Sequence, residues 1–230
     1  MKLYLPGIKT FILGRYGSLL LVLSSLLVLQ PFVDTRVGKV VIEVLFIAAL
    51  VAGLRAVESR THLFRFDVLL LIVSVICGTA GKLLDNESLF TIGLIGESLF
   101  LFLVGIKILI DLFRARKVTG DSLAGAVCVY LLIGLIWAYL YLIIEVFFPG
   151  SFSFTQGDAR LAMWVSNEFY PFYYFSLVTV TTVGYGDLLP VSTPARTLAT
   201  MEGILGQVYL TILVARLVGM YLMNQQEEQE

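Results

Sequence analysis

Apolar residues fall into long runs separated by short polar breaks. The runs are Tyr16 to Val33, Val37 to Leu54, Phe64 to Leu84, Leu89 to Phe113, Leu123 to Phe148 and Ala195 to Met223. A helix crosses a bilayer in about 20 mostly apolar residues, and each run is close to that length with few charges. The pattern predicts six transmembrane helices. One stretch departs from it. Between Pro149 and Pro194 a polar part, Gly150 to Asp158, is followed by Phe169 to Val180, which is apolar and aromatic but too short to cross. It reads as a re-entrant helix with Pro171 near its start, where helices tolerate proline. Non-helical backbone at membrane depth is tolerated only where protein buries it or where it lines a watery cavity. The residues after Val180 are therefore expected to line a pore or a site.

Composition sharpens this. The 230 residues are 58% hydrophobic and 14% charged, with a mean hydropathy of +0.91. Soluble domains run about 45–50% apolar and about 25% charged, so a cytosolic enzyme is excluded and lipid is the expected surrounding. The net charge of −1 leaves no basic footprint for nucleic acid. Cys77 and Cys128 both lie in apolar runs and read as small buried hydrophobes. His62 is the only histidine, in a basic loop, and no nucleophile or metal cluster accompanies it. Neither an enzyme nor a cofactor is expected.

Lys2, Lys9 and Arg15 precede the first run as in a signal peptide, but no small-residue cleavage site follows, so that run is read as a retained helix. With the N-terminus inside, Lys2, Lys9, Arg15, Arg55, Arg60, Arg65, Arg114, Arg116 and Lys117 fall on the inner side. Arg36, Lys39, Lys82, Arg160 and Arg196 fall outside. The excess favours both termini in the cytoplasm.

The segment after the short helix reads Thr179-Val180-Thr181-Thr182-Val183-Gly184-Tyr185-Gly186-Asp187. It resembles the selectivity filter of tetrameric potassium channels, the usual example of ion selectivity by backbone carbonyls. The match is complete over Thr182 to Asp187, and it falls between a re-entrant helix and a last span. The chemistry accounts for the residue types. A dehydrated K⁺ needs several oxygens to replace its water shell. Carbonyls supply them when the backbone alternates between ordinary and left-handed regions, which Gly184 and Gly186 reach without steric cost. Val183 and Tyr185 are then free to point away and brace the filter, and the Thr182 hydroxyl adds an oxygen at the inner mouth. The resemblance implies that Thr182, Val183, Gly184 and Tyr185 bind K⁺ as the permeating ion and that Gly186 and Asp187 support them. One chain holds one filter strand, so it also implies a homotetramer, each chain partnered by three identical subunits. Tyr173, Tyr174 and Phe175 would form an aromatic cuff, and the helix dipole at the end of the pore helix would favour a cation. Some family members brace the filter aspartate with a glutamate on the pore helix. The matching residue here is Val178, which leaves a cuff aromatic as the partner for Asp187.

The last span resembles the inner helix of such channels. Gly203 and Gly206 fall where the family bends it, and they read equally as a hinge or as close packing. Gln207, Leu210, Thr211, Val214 and Val218 share one helical face. That face would line the cavity, with Val214 and Val218 as a hydrophobic gate. Glu202 precedes Gly203 at about the depth of the filter. Gln207 lies about 140° further round the helix, so two placements stay open. One is behind the filter against Ser176 or Thr179, as a hydrogen-bonding brace. The other faces the cavity and attracts cations.

In six-span relatives the first four helices form a voltage sensor whose fourth helix carries arginine at every third position. The fourth run has no such ladder over Glu97 to Lys107. Only Lys107 lies within it, with Glu43 or Glu97 as its simplest neutralising partner. Asp67 resembles another sensor acid. Lys107 and Glu202 are candidate modulatory residues.

The expected fold is an all-α membrane protein with six transmembrane helices, a pore helix and a filter loop, assembled as a tetramer. Residues 1–117 form a sensor-like domain and 118–223 a pore domain. Residues 224–230 are a short tail with no room for a ligand-binding domain. The expected function is passive, potassium-selective conduction with little or no voltage dependence, in a plasma membrane of prokaryotic type. The rivals are a non-conducting or regulatory subunit of a mixed assembly and a potassium transporter subunit, although transporters usually carry several degenerate filter loops in one chain.

Overall fold

In lipid a backbone must satisfy its own N–H and C=O groups, so long apolar runs fold as helices. The computed structural model describes residues 14–29, 36–56, 62–115, 119–154 and 169–227, without the side chains of 36–43, 62–64, 217–218 and 220–227. In these residues the order is α1 (Gly17–Val28), α2 (Arg36–Ala56), α3 (His62–Leu83), α4 (Glu87–Arg114), α5 (Gly120–Phe147), β1 (Phe152–Phe154), α6 (Tyr170–Val180), β2 (Leu188–Pro190) and α7 (Thr193–Glu227). The side chains of Glu43, His62 and Val218 lie outside the described residues. So do residues 1–13, which hold Lys2 and Lys9, together with 57–61, 116–118, 155–168 and 228–230.

Four helices are long and apolar enough to cross a membrane: Arg65–Leu83 in α3, all of α4, all of α5 and Thr193–Arg216 in α7. Gly17–Val28 and Val44–Ala56 are apolar but shorter. The described residues thus hold four spans where hydropathy predicts six. α1 ends at Val28, capped by Leu29, short of the expected Val33. Proline cannot continue a helix interior and disfavours helix at the residue before it, and Pro31 stands at that point. The eleven residues of α6 coincide with the short helix expected at Phe169 to Val180. The β1–β2 ribbon was not expected. It is antiparallel, pairing Phe152 with Pro190 and Phe154 with Leu188.

The chain divides into two compact units. One comprises Met1–Leu69, Leu103–Leu131 and Leu213–Glu230. In it α1 packs on α2 and buries Leu19, Leu23 and Leu26, spaced as one helical face. Arg15 pairs with Asp111 at 3.0 Å, and the Tyr16 hydroxyl donates to the same carboxylate at 3.1 Å. Arg216 donates to the Ala115 carbonyl at 3.0 Å and lies over the Phe113 ring at 4.8 Å, so a carbonyl just past the end of α4 gains a cationic partner. Both cysteines are unpaired, and Cys128 is fully buried.

The second unit comprises Leu70–Phe102 and Leu132–Ile212. Its core is an aromatic cluster. Tyr141 on α5 meets Phe152 at 5.4 Å and Phe175 at 5.0 Å, both edge-on, and Phe152 meets Phe172 at 5.2 Å. Edge-to-face pairs at these separations each add about 0.5–1.5 kcal/mol beyond area burial. The cluster fixes α6 against α5 and holds β1, whose partner β2 follows the 182–187 segment.

α3 and α4 form an antiparallel pair joined by a tight turn. Asp85 takes a left-handed φ of 51°, and Asn86 caps α4 by accepting from the Leu89 N–H at 3.1 Å. Gly81 lies beside Phe90 and Gly96 beside Ser74.

Candidate functional site

The site grows from the end of α6. Helix termini leave carbonyls without intrahelical partners, and here the following strand supplies the donors. The Thr182 N–H donates to the Thr179 carbonyl at 3.0 Å. The N–H groups of Val183 and Gly184 both donate to the Val178 carbonyl, at 3.0 and 3.2 Å. Thr182, Gly184 and Gly186 have φ of 61°, 59° and 74°, whereas Val183 and Tyr185 between them do not enter the left-handed region. Alternation of this kind turns successive N–H groups to one side. In a trans peptide the C=O opposes the N–H, and no peptide among the described residues is cis. The carbonyls of Thr181, Thr182 and Val183 therefore point away from α6. The segment 181–185 is exposed along that side.

The glycine positions need no strain to adopt these angles. Thr182 does, because a β-branched residue at positive φ is sterically costly. Three amide bonds to α6 hold the strand in place. Sequence reasoning assigned the left-handed positions to the two glycines alone and missed Thr182. The three-part alternation of 182, 184 and 186 was the available signal.

The supporting residues separate. The Tyr174 hydroxyl donates to Asp187 Oδ2 at 2.7 Å, and Asp187 Oδ1 accepts from the Leu188 N–H at 3.0 Å. Val178 supports the strand through its carbonyl. Phe175 was expected beside the filter, but its ring turns into the aromatic cluster against Tyr141 and Phe152. Three successive helical positions point about 100° apart, so Tyr173, Tyr174 and Phe175 cannot all face one strand. The Tyr173 hydroxyl is buried and lacks a hydrogen-bond partner among the described residues. Val183 and Tyr185 are 51% and 71% exposed, so within their own chain they do not pack behind the strand.

On α7, Glu202 is fully buried and takes the placement behind the segment. Tyr141 donates to its Oε2 at 2.5 Å, and Ser176 bonds to its Oε1. The cavity-facing alternative is thereby overturned. Tyr141 was missed by sequence reasoning, since nothing in an apolar run marks which tyrosine meets a neighbour's carboxylate. Gly206 is buried against the end of α6, where a Cβ would lie 2.7 Å from Val180 Cγ2 and 2.9 Å from the Val180 carbonyl oxygen. At Gly203 such a Cβ would meet no other part of the described residues within 4 Å. α7 runs as one helix through both. Gln207, Thr211 and Val214 are exposed and Leu210 is half-buried.

Lys107 pairs with Asp67, whose side chain is 2% exposed. The expected partners were Glu43 or Glu97. Glu97 instead accepts from the Tyr139 hydroxyl at 2.8 Å. The antiparallel register of α3 and α4 gives the reason, because a residue near the start of α3 lies level with one near the end of α4. The carboxylate of Glu145 accepts from the Gly150 N–H at 2.7 Å and closes the turn after α5.

Residues 125–223 match a protein-family model described as an ion channel. No curated protein and no solved structure matches the chain. The matched residues run from α5 through α6 and the 182–187 segment into α7. Over this stretch the chain is similar to ion channels, which supports passive ion conduction and a family that is generally non-enzymatic. Together with the apolar helices it supports a multi-pass membrane protein.

Proposed function

We propose that the chain is one of four identical subunits of a potassium-selective channel, with residues 182–187 as its filter. The observation that carries this reading is the alternating backbone of Thr182, Gly184 and Gly186, with its N–H groups spent on α6. Carbonyls left on the opposite side are the ligands a dehydrated K⁺ requires. A single chain offers only one such strand, and four around an axis complete the coordination. Exposed apolar side chains fit that assembly: Val183 and Tyr185 on the strand, and Ile204, Leu205 and Val208 on α7. Partner subunits would cover them.

Voltage enters weakly in this reading. One elementary charge crossing the whole field is worth about 2.3 kcal/mol per 100 mV, and α4 offers one lysine per subunit. Lys107 is held by Asp67, which keeps the moving charge small. The expected membrane is a prokaryotic plasma membrane, with both termini inside.

Gly184→Ala tests the filter. A Cβ at a left-handed position is strained whatever the surrounding space. The variant, reconstituted in liposomes, should form the same assembly as the parent and lose K⁺ flux. Undiminished K⁺ flux would overturn the carbonyl reading.

A further inference from the structure

Three oxygen–oxygen contacts link Glu202 and Ser176 to each other and to α5, and they need three hydrogens. Tyr141 on α5 contacts Oε2 at 2.5 Å, and its phenol supplies one hydrogen. Ser176 on α6 contacts Oε1 and also the Gly134 carbonyl on α5, the latter at 2.7 Å. A serine hydroxyl carries one hydrogen, and a carbonyl can only accept. The Ser176 hydrogen therefore belongs to the Gly134 bond. The contact between Ser176 Oγ and Glu202 Oε1 then has a hydrogen only if the carboxyl carries it. All three side chains are essentially buried, and no cation interacts with Glu202 among the described residues. A bare carboxylate there would face two hydroxyls and apolar packing. An unpaired buried charge is the costliest arrangement available.

We infer that Glu202 is a protonated positioning residue, donating to Ser176 and accepting from Tyr141, and that this neutral acid pins α6 to α5 and α7 behind the 182–187 segment. Ser176 lies two residues before Val178, the carbonyl that holds the Val183 and Gly184 amides. A shift of the α6 end would move that carbonyl and with it the strand. Glutamine reproduces the pin, because its NH₂ replaces the carboxyl O–H and its C=O still accepts from Tyr141. Leucine fills similar space with neither group.

The test uses the full chain in liposomes at neutral pH. Infrared difference spectra of wild type against Glu202→Gln should show loss of a protonated-carboxyl C=O band, and Ser176→Ala should shift that band upward. K⁺ flux should be unchanged in Glu202→Gln and fall by at least about tenfold in Glu202→Leu, which loses both buried hydrogen bonds of the side chain. The flux arm rests on the channel reading, whereas the infrared arm reads the proton whether or not the protein conducts. A carboxylate signature at Glu202, or a band untouched by both Glu202→Gln and Ser176→Ala, overturns the proton assignment. Equal loss of flux in Glu202→Gln and Glu202→Leu overturns the positioning role.

Discussion

Gly206→Ala puts the approach of α7 to α6 under direct strain. The new Cβ would lie 2.7 Å from Val180 Cγ2 and 2.9 Å from the Val180 carbonyl oxygen. Both distances are well inside van der Waals contact. Rotating the Val180 side chain relieves the first. The second is backbone two residues before Thr182, and it yields only if α6 or α7 moves. Overpacking costs about 1–3 kcal/mol, and a backbone clash puts this site near the upper figure. Alanine returns about 1 kcal/mol over glycine in a helix interior. The net cost is about 2 kcal/mol, or roughly 4–8 °C in unfolding midpoint for a chain of this size. Gly203→Ala is the matched control on the same helix. Its Cβ meets nothing within 4 Å among the described residues, so helix propensity alone acts and stability rises by about 1 kcal/mol. Thermal unfolding of both variants in one detergent measures the difference. A Gly206→Ala protein that melts at or above the parent would refute the close approach and with it the account of how the strand is held from below.

Three further outcomes follow from named contacts. Lys107→Met leaves the Asp67 carboxylate buried and unpaired and should cost about 3–5 kcal/mol; adding Asp67→Asn should restore most of it, as a thermal double-mutant cycle will read. In Lys107→Gln, open probability in planar bilayers should be at least as flat against voltage as in the parent, and steep activation would contradict the weak-sensor reading. Tyr174→Phe removes a 2.7 Å bond to Asp187. Bonds to charged groups are worth about 1.5–3 kcal/mol, and the half-exposed Tyr174 belongs near the lower figure, so the ratio of conducting to non-conducting dwell time should fall roughly tenfold in single-channel records.

Much of the helix order was legible, because a backbone in lipid leaves few options and apolar runs mark them. The short run before Thr181 showed its own character through length alone. Lateral pairing was harder to read. Where lipid and core are both apolar, periodicity does not say which face meets protein, so the direction of Phe175 and the role of Tyr141 were hidden. Lys107 illustrates a recoverable miss. A tight turn at Asp85 and Asn86 makes α3 and α4 antiparallel, and counting outward from it brings Asp67 level with Lys107. The β1–β2 ribbon left no sign, because strands of three residues carry too few positions for an alternation to register. Thr182 was overlooked for a different reason. Its left-handed angle contradicts its own preference and is imposed by the amide bonds to α6.

The central claim is that the carbonyls of 182–185 replace the water around K⁺ and leave Na⁺ behind. The reversal potential of the purified protein in a planar bilayer, with K⁺ on one side and Na⁺ on the other, measures it most directly. The account predicts a reversal close to the K⁺ equilibrium potential. A reversal near zero would mean that the pore does not distinguish the two ions, and it would contradict the claim.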